Sequence, residues 1–362
     1  MFCGCILLKE GAAQMKKKFF GFLAAAASIF AAAAMICRFG FSPIFGAIDG
    51  IMSFSDSVEA LCSSDLPEND KTSQKLQETE DRQKSDDNLN ESEPQKNAVP
   101  VSNNENALGS VIRKSVGGGN IKYQKIALNN KSFKDINIKN SLARKIGLEL
   151  QNSAEPQVLI YHTHTTEGYM SEAKDFYTQN DSARNTDNTK NVFAVGEALA
   201  DSLKKSEIVS LHDGTQHDNP SYSGSYKRSA ETIKNNLSAH PSVKLGIDLH
   251  RDSIPSGEND KVALTKEIGG KQAAQIMIIV STGYDGSDDN FTFALRLQQA
   301  FEAMYPGLAR PMTVYKSVYN QDLLPYGLLI EVGTDANSLD EAKYSGELIG
   351  NVLGPLLKGY CK

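Results

Sequence analysis

Val158-Leu159-Ile160-Tyr161-His162-Thr163-His164-Thr165-Thr166-Glu167 changes character in its middle. The first four residues are a continuous apolar run. The next six are polar and carry two histidines and a carboxylate. An unbroken apolar run suits a strand covered on both faces, as in a parallel sheet with helices on either side. Similar runs recur at Leu245-Gly246-Ile247-Asp248-Leu249, Ile276-Met277-Ile278-Ile279-Val280 and Leu328-Leu329-Ile330. Between them lie helical periods. One runs through Val192, Val195, Leu199 and Leu203, and another through Phe291, Ala294, Leu295, Phe301 and Met304, stopping at Pro306-Gly307. A last one follows a capping box formed by Ser338 and Glu341. The alternation predicts an α/β fold with a mostly parallel central sheet flanked by helices, with ligands beyond the carboxyl ends of the strands.

Three of the four apolar runs lead into polar groups. The first leads into His162, His164 and Glu167. The second leads into Asp248-Leu249-His250-Arg251-Asp252, and the fourth into Glu331-Val332-Gly333. In a parallel sheet these groups emerge at one edge and converge on one crevice. His164 and Glu167 are three apart, so a single turn points both at one centre, and His250 supplies a third ligand from another strand. Two His and one Glu form a common catalytic zinc set that leaves a fourth position for water. His162 shares a face with His164 if the segment stays extended, so spacing alone leaves either as the ligand. Glu331 is the candidate to move the proton between water and leaving group. Arg251 is a candidate for stabilising the oxyanion. Arg251 and Asp252 read equally well as substrate-orienting groups or as a structural ion pair. His217 reads foremost as part of a loop before a solvated helix, with a supporting or substrate contact as the alternative. Asp285-Gly286-Ser287-Asp288-Asp289-Asn290 lacks the pattern of a calcium loop and reads as a cap for the helix at Phe291.

Outside this core the chain changes composition. Residues 19–37, FFGFLAAAASIFAAAAMIC, carry no charge and follow Lys16-Lys17-Lys18. That length is near the ~20 residues needed to cross a bilayer as a helix. Residues 19–40 therefore read as a transmembrane anchor, with residues 1–18 cytoplasmic and the rest outside. A cleaved signal peptide is the competing reading, because the Ala-rich end resembles a cleavage site. Residues 41–105 read as a polar, disordered linker. Residues 63–105 contain no aromatic side chain and cannot bury enough apolar surface to offset the entropy of ordering. Residues 106–150 form a transition with possible edge strands, and residues 151–362 form the catalytic domain. Over 362 residues, 38 Lys and Arg stand against 44 Asp and Glu, a net charge of −6. That balance argues against a nucleic-acid partner. The five Cys show no metal-type spacing, and a Cys62–Cys361 bridge is possible but unsupported.

The ordered set from Tyr161 to Glu167, then Thr215-Gln216-His217-Asp218, Ser225-Tyr226-Lys227-Arg228-Ser229, Asp248-Leu249-His250-Arg251-Asp252-Ser253 and Glu331-Val332-Gly333, resembles the stage II sporulation protein P family. The resemblance covers roughly residues 120–355. It implies a fold akin to the zinc N-acetylmuramoyl-L-alanine amidases. It also implies cleavage of the amide between muramic acid and the stem peptide, and of peptide cross-links, during engulfment of the forespore. The implied partners are peptidoglycan, stage II sporulation proteins D and M, and a membrane on the mother-cell side of the septum. His164 matches the ligand of the family's Thr-His-x-x-Glu motif better than His162 does. Glu167 and His250 match the other Zn2+ positions, and Glu331 the catalytic glutamate. Gly168 departs from the family, which usually has Ser there, and this puts substrate contacts beside Glu167 in question. Two readings compete with the amidase: a zinc carboxypeptidase trimming stem peptides, and a wall-binding scaffold with an inert metal site.

Overall fold

The computed structural model describes residues 106–256 and 259–362. The expected anchor, the linker and Cys62 lie outside the described residues, and among the described residues Cys361 has no disulfide partner. Among the described residues no helix is long and apolar enough to cross a membrane.

The fold is α/β, but the sheets are mixed rather than mostly parallel. The larger sheet contains β2 (Ile121–Tyr123), β3 (Ile126–Asn130), β4 (Val158–Tyr161), β6 (Ser210–His212), β7 (Leu245–Asp252), β11 (Ile276–Ser281), β12 (Met312–Tyr315) and β13 (Tyr326–Thr334). Its spatial order is β2-β3-β12-β11-β13-β7-β4-β6. The block β13-β7-β4-β6 is parallel, as is β3-β12-β11, but the two blocks meet antiparallel at β11 and β13. A second sheet joins β1 (Gly109–Lys114), β5 (Phe176–Tyr177), β8 (Pro255–Ser256), β9 (Asp260–Ile268) and β10 (Lys271–Ala274), with only β1 and β9 parallel. Residues 106–150 are woven into both sheets. The β2–β3 hairpin forms an edge of the larger sheet, and β1 lies inside the smaller one.

The apolar runs behave as their composition requires. Val158, Leu159 and Ile160 have no exposed surface, and neither do Leu245, Ile247 and Leu249. Burying one such side chain is worth about 2 kcal/mol, so both sheet faces need cover. Helices supply it: α1 (Ile138–Ala143), α2 (Val192–Lys205), α3 (Ser225–Ala239), α4 (Ser287–Met304) and α5 (Leu339–Lys358). Ile233 of α3 packs with Leu159 and Tyr161. The four period positions Val192, Val195, Leu199 and Leu203 of α2 are all fully buried. The capping box forms. Ser338 Oγ accepts the Glu341 N–H at 3.2 Å, and Glu341 Oε2 accepts the Ser338 N–H at 3.0 Å. One expectation fails nearby. Helix α4 starts at Ser287 after Gly286 in the left-handed region, so Asp288 and Asp289 sit in its first turn instead of capping it. There they complement the positive end of the helix dipole.

What matters for the site is one edge of the larger sheet. The carboxyl ends of the adjacent strands β4, β7 and β13 lie there together. Tyr161 is paired with Asp248, and His250 with Glu331. Because β11 and β12 run the other way, their amino ends reach the same edge.

Candidate active site

The loop after β4 is built from short hydrogen bonds rather than apolar packing. The Glu167 N–H donates to the His164 carbonyl at 3.1 Å, closing the turn that brings these side chains to one side. Thr165 Oγ1 donates to the Thr215 carbonyl at 2.7 Å, and Thr166 Oγ1 donates to Asp218 Oδ2 at 2.6 Å. On β7, buried Asp248 accepts the Thr163 N–H at 2.7 Å and the Thr163 hydroxyl at 2.6 Å. Asp248 thus fastens the start of the loop to the neighbouring strand.

His164, Glu167 and His250 meet here. The His164 ring stacks on Tyr222 with centroids 4.3 Å apart and presents an edge to His250 at 5.2 Å. His164 Nδ1 is buried and has no partner. Burial, reinforced by the charge of His250, lowers its pKa to about 4, so the ring is neutral near pH 7. His250 Nδ1 lies 3.5 Å from Glu167 Oε2, and its Nε2 lies 2.9 Å from Asp248 Oδ1. That second approach is too poorly aligned to make a hydrogen bond, so Nε2 also lacks one. Burial pushes the His250 pKa down, but the charges of Asp248 and Glu167 outweigh it, and the net shift is well upward. Burial likewise opposes ionisation of Glu167. The neighbouring His250 and Arg251 overcome it and bring the pKa to about 2.

Glu331 faces the same centre from β13, in register with His250. The residue keeps some exposed surface, but its Oε2 is buried and unpartnered. Burial raises its pKa to about 8. The charges of His250 and Arg310 oppose that rise, and those of Asp252 and Glu167 reinforce it. A carboxyl with a pKa near neutrality is poised both to take and to return a proton.

The other candidates fall outside this centre. His162 is not a ligand alternative, because the strand stops at Tyr161 and the chain turns. Its Nδ1 lies 2.9 Å from the Leu249 carbonyl and its Nε2 2.9 Å from His212 Nε2. His217 bridges the His162 carbonyl at 2.7 Å and Thr232 Oγ1 at 2.8 Å, a supporting role. Arg251 needs correction as an oxyanion group. Its Nε donates to the Gly168 carbonyl at 3.1 Å, its Nη2 to Ala183 at 2.6 Å and its Nη1 to Asp252 at 3.2 Å. Its backbone N–H also donates to Glu167 Oε2 at 3.0 Å, so Arg251 braces the ligand loop. Asp252 Oδ2 accepts from Arg310 Nη1 at 2.9 Å, a pair formed with a residue other than Arg251.

Asp248, Tyr222 and Arg310 are the parts that sequence reasoning missed. Asp248 sits two residues before His250, and strand alternation places both on one face. Tyr222 offered no such signal. A recess of 640 Å³ lined by Lys271, Ser338, Lys343 and Tyr344 shares no residue with this centre.

Whether the cluster suits a metal rests on its donors. Among the described residues no group of three or more His, Cys, Asp or Glu side chains is placed so as to hold a metal ion. The chemistry nonetheless fits a divalent ion of borderline softness. His164 is neutral, with a buried free nitrogen, and Glu167 is anionic, whereas His250, its pKa raised by Asp248 and Glu167, would give up a proton on ligating. Two imidazoles and one carboxylate are a zinc set.

Comparison with known proteins gives a family. Residues 48–354 match the family described as Stage II sporulation protein P. A curated relative, the stage II sporulation protein P of Bacillus subtilis (strain 168), is 30% identical over 210 residues, covering 55% of this chain and 50% of that protein. The chain thus spans about half the length of the curated relative it matches. Among solved structures, an N-acetylmuramoyl-L-alanine amidase from Clostridium difficile 630 superposes with a TM-score of 0.34 at 17% identity, covering 56% of this chain and 96% of that one. The CwlD amidase from Clostridioides difficile, in complex with the GerS lipoprotein, gives 0.34 at 12% identity, covering 56% and 98%.

Proposed function

The chain belongs to the stage II sporulation protein P family, and on that premise we propose that it is a peptidoglycan hydrolase of sporulation. Its reaction is hydrolysis of the amide between N-acetylmuramic acid and the stem peptide, and of peptide cross-links. The observation that supports this most is the meeting of His164, from the loop after β4, with His250 of β7, their centroids 5.2 Å apart. Glu331 stands opposite His250 in register, which supplies a proton carrier beside the donor set.

His164, Glu167 and His250 would hold Zn2+. Once bound, the ion supplies Lewis acidity and lowers the pKa of water toward 7. The remaining steps belong to the chain. Glu331 takes the proton of the attacking water at its carboxylate and returns it to the leaving nitrogen. Asp248 Oδ1, 2.9 Å from His250 Nε2, balances the charge on that ring, and Arg251 keeps the 164–168 turn against β7. The family premise extends to context: an anchor in the membrane, action on the mother-cell side during engulfment, and work beside stage II sporulation proteins D and M.

Product masses from intact peptidoglycan test the reading. Free stem peptides and intact glycan are the expected products. Release of a terminal Ala alone would make the chain a carboxypeptidase, and digestion that survives exhaustive chelation would remove the zinc assignment.

A further inference from the structure

Arg310 stands just before β12, and its side chain is only 7% exposed. Its Nη1 is held by Asp252 Oδ2 at 2.9 Å, whereas Nε and Nη2 are buried with no partner. Leaving charged donors unmet in a buried place is costly, so this edge of the guanidinium points to an acceptor still to arrive. Nε and Nη2 form one side of a rigid planar fork suited to oxygen.

The edge lies at the reaction centre. β11 and β12 run opposite to β13, which brings the residue before β12 to the rim where β4, β7 and β13 end. The guanidinium reaches Asp252, which shares a face of β7 with His250 two residues earlier. Glu331, on β13, one of the two strands between, feels the charge of Arg310. Arg251, the arginine that spacing suggested, is spent on backbone carbonyls.

We propose, resting on the hydrolase reading above, that Arg310 is a catalytic residue whose Nε and Nη2 receive the oxygen of the scissile carbonyl. Water adds to the carbonyl carbon and its proton passes to Glu331. The π pair of the C=O bond moves onto oxygen, where the Arg310 fork stabilises the charge. The pair then returns, the C–N bond breaks, and the nitrogen takes the proton from Glu331. One carboxyl and one amine result. Asp252 balances the arginine and fixes its plane, so the donors need no reorganisation as charge develops. Asp252, the partner of Arg310, is 25% exposed, so the pair borders solvent.

The test uses the zinc-loaded protein with purified peptidoglycan. Arg310→Lys keeps the charge and loses the fork. Asp252→Asn/Arg310→Gln removes both charges together and guards against a folding defect. Either variant should lose roughly 100-fold in kcat with KM within a few-fold of the parent. A phosphinate isostere of the scissile amide, measured by calorimetry, should weaken by a similar factor, while free stem peptide binds as before. A folded variant with parental kcat overturns the assignment. So does a loss carried by KM alone, which would make Arg310 an anchor for a substrate carboxylate. Failure of both variants to fold would make the pair structural and end the proposal. If the parent releases nothing, the hydrolase reading falls and takes this inference with it; if the parent digests and the variants match it, only the inference falls.

Discussion

At the scale of single residues, the centre is defined by what burial does to charge. Glu331 and Glu167 are both carboxylates, yet one is pushed up to about 8 and the other down to about 2. The difference is the partner. Glu167 accepts the Arg251 N–H and faces His250, whereas Glu331 Oε2 faces no donor. Two carboxylates with separated pKa values can divide ligand and proton-carrier roles between them. Glu331→Gln should therefore lower kcat by at least ~100-fold while leaving wall binding intact, checked by pelleting with peptidoglycan and by product release. Undiminished digestion would remove Glu331 from the mechanism. A pH effect follows from the same shift. The pKa of Glu331 is higher folded than unfolded, so its contribution to stability is complete below about 4.5 and is lost as pH rises toward about 8. In the metal-free protein, Glu331→Gln should thus gain thermal stability over the parent across that window and gain none below it. A gap that stays constant with pH would contradict the shift.

At the scale of elements, strand alternation and helix contact decide what each segment can offer. Alternation explains why His250 enters the centre while its neighbour Arg251 faces the other way and braces the loop. The signal was present in the sequence, but the strand boundary was not, because β7 runs on through Asp252. His162 shows the opposite error. Its face follows from an extended chain, and the chain ceases to be extended after Tyr161. The helices were easier to read, because burial follows a helical period in α2 and α5. Helix α5 carries one further constraint. A Cβ on Gly346 would lie 2.6 Å from the Val195 carbonyl oxygen of α2, and one on Gly350 2.4 Å from the Ser202 side chain. Glycine here forgoes helix propensity in exchange for close helix contact. Gly346→Ala should destabilise the fold by about 1–3 kcal/mol, since a backbone oxygen cannot step aside cheaply. Chemical denaturation measures it. A neutral or stabilising result would show that the two helices separate without cost.

At the scale of the whole molecule, the site was legible because three apolar runs each ended in polar residues, and strands of that kind pack side by side. The direction of β11 was not legible. Ile276-Met277-Ile278-Ile279-Val280 is apolar whichever way it runs, and direction is set by connections that local pattern does not encode. The antiparallel step at β13 hid Arg310, because a search past the carboxyl ends of strands misses a residue that precedes one. The same topology has an energetic consequence. His164 and Glu167 follow β4, and His250 lies on β7, with β5, α2, β6 and α3 between them in the chain. An ion bound to all three closes that long loop and binds the folded chain far better than the unfolded one. Ligand that favours the folded state adds RT ln(1 + [L]/Kd), about 2.7 kcal/mol at a hundredfold excess over Kd. Zn2+ should therefore raise the midpoint of the global transition of the metal-free parent by several degrees. His164→Ala and His250→Ala should each lose nearly all of that rise, whereas His162→Ala, outside the donor set, should keep it. The shift should also shrink as pH falls, since the raised pKa of His250 lets protons compete for that donor. Calorimetric scans with and without Zn2+ decide the matter. An equal rise in His250→Ala and the parent would place the ion elsewhere on the chain and separate the fold's stability from its proposed chemistry.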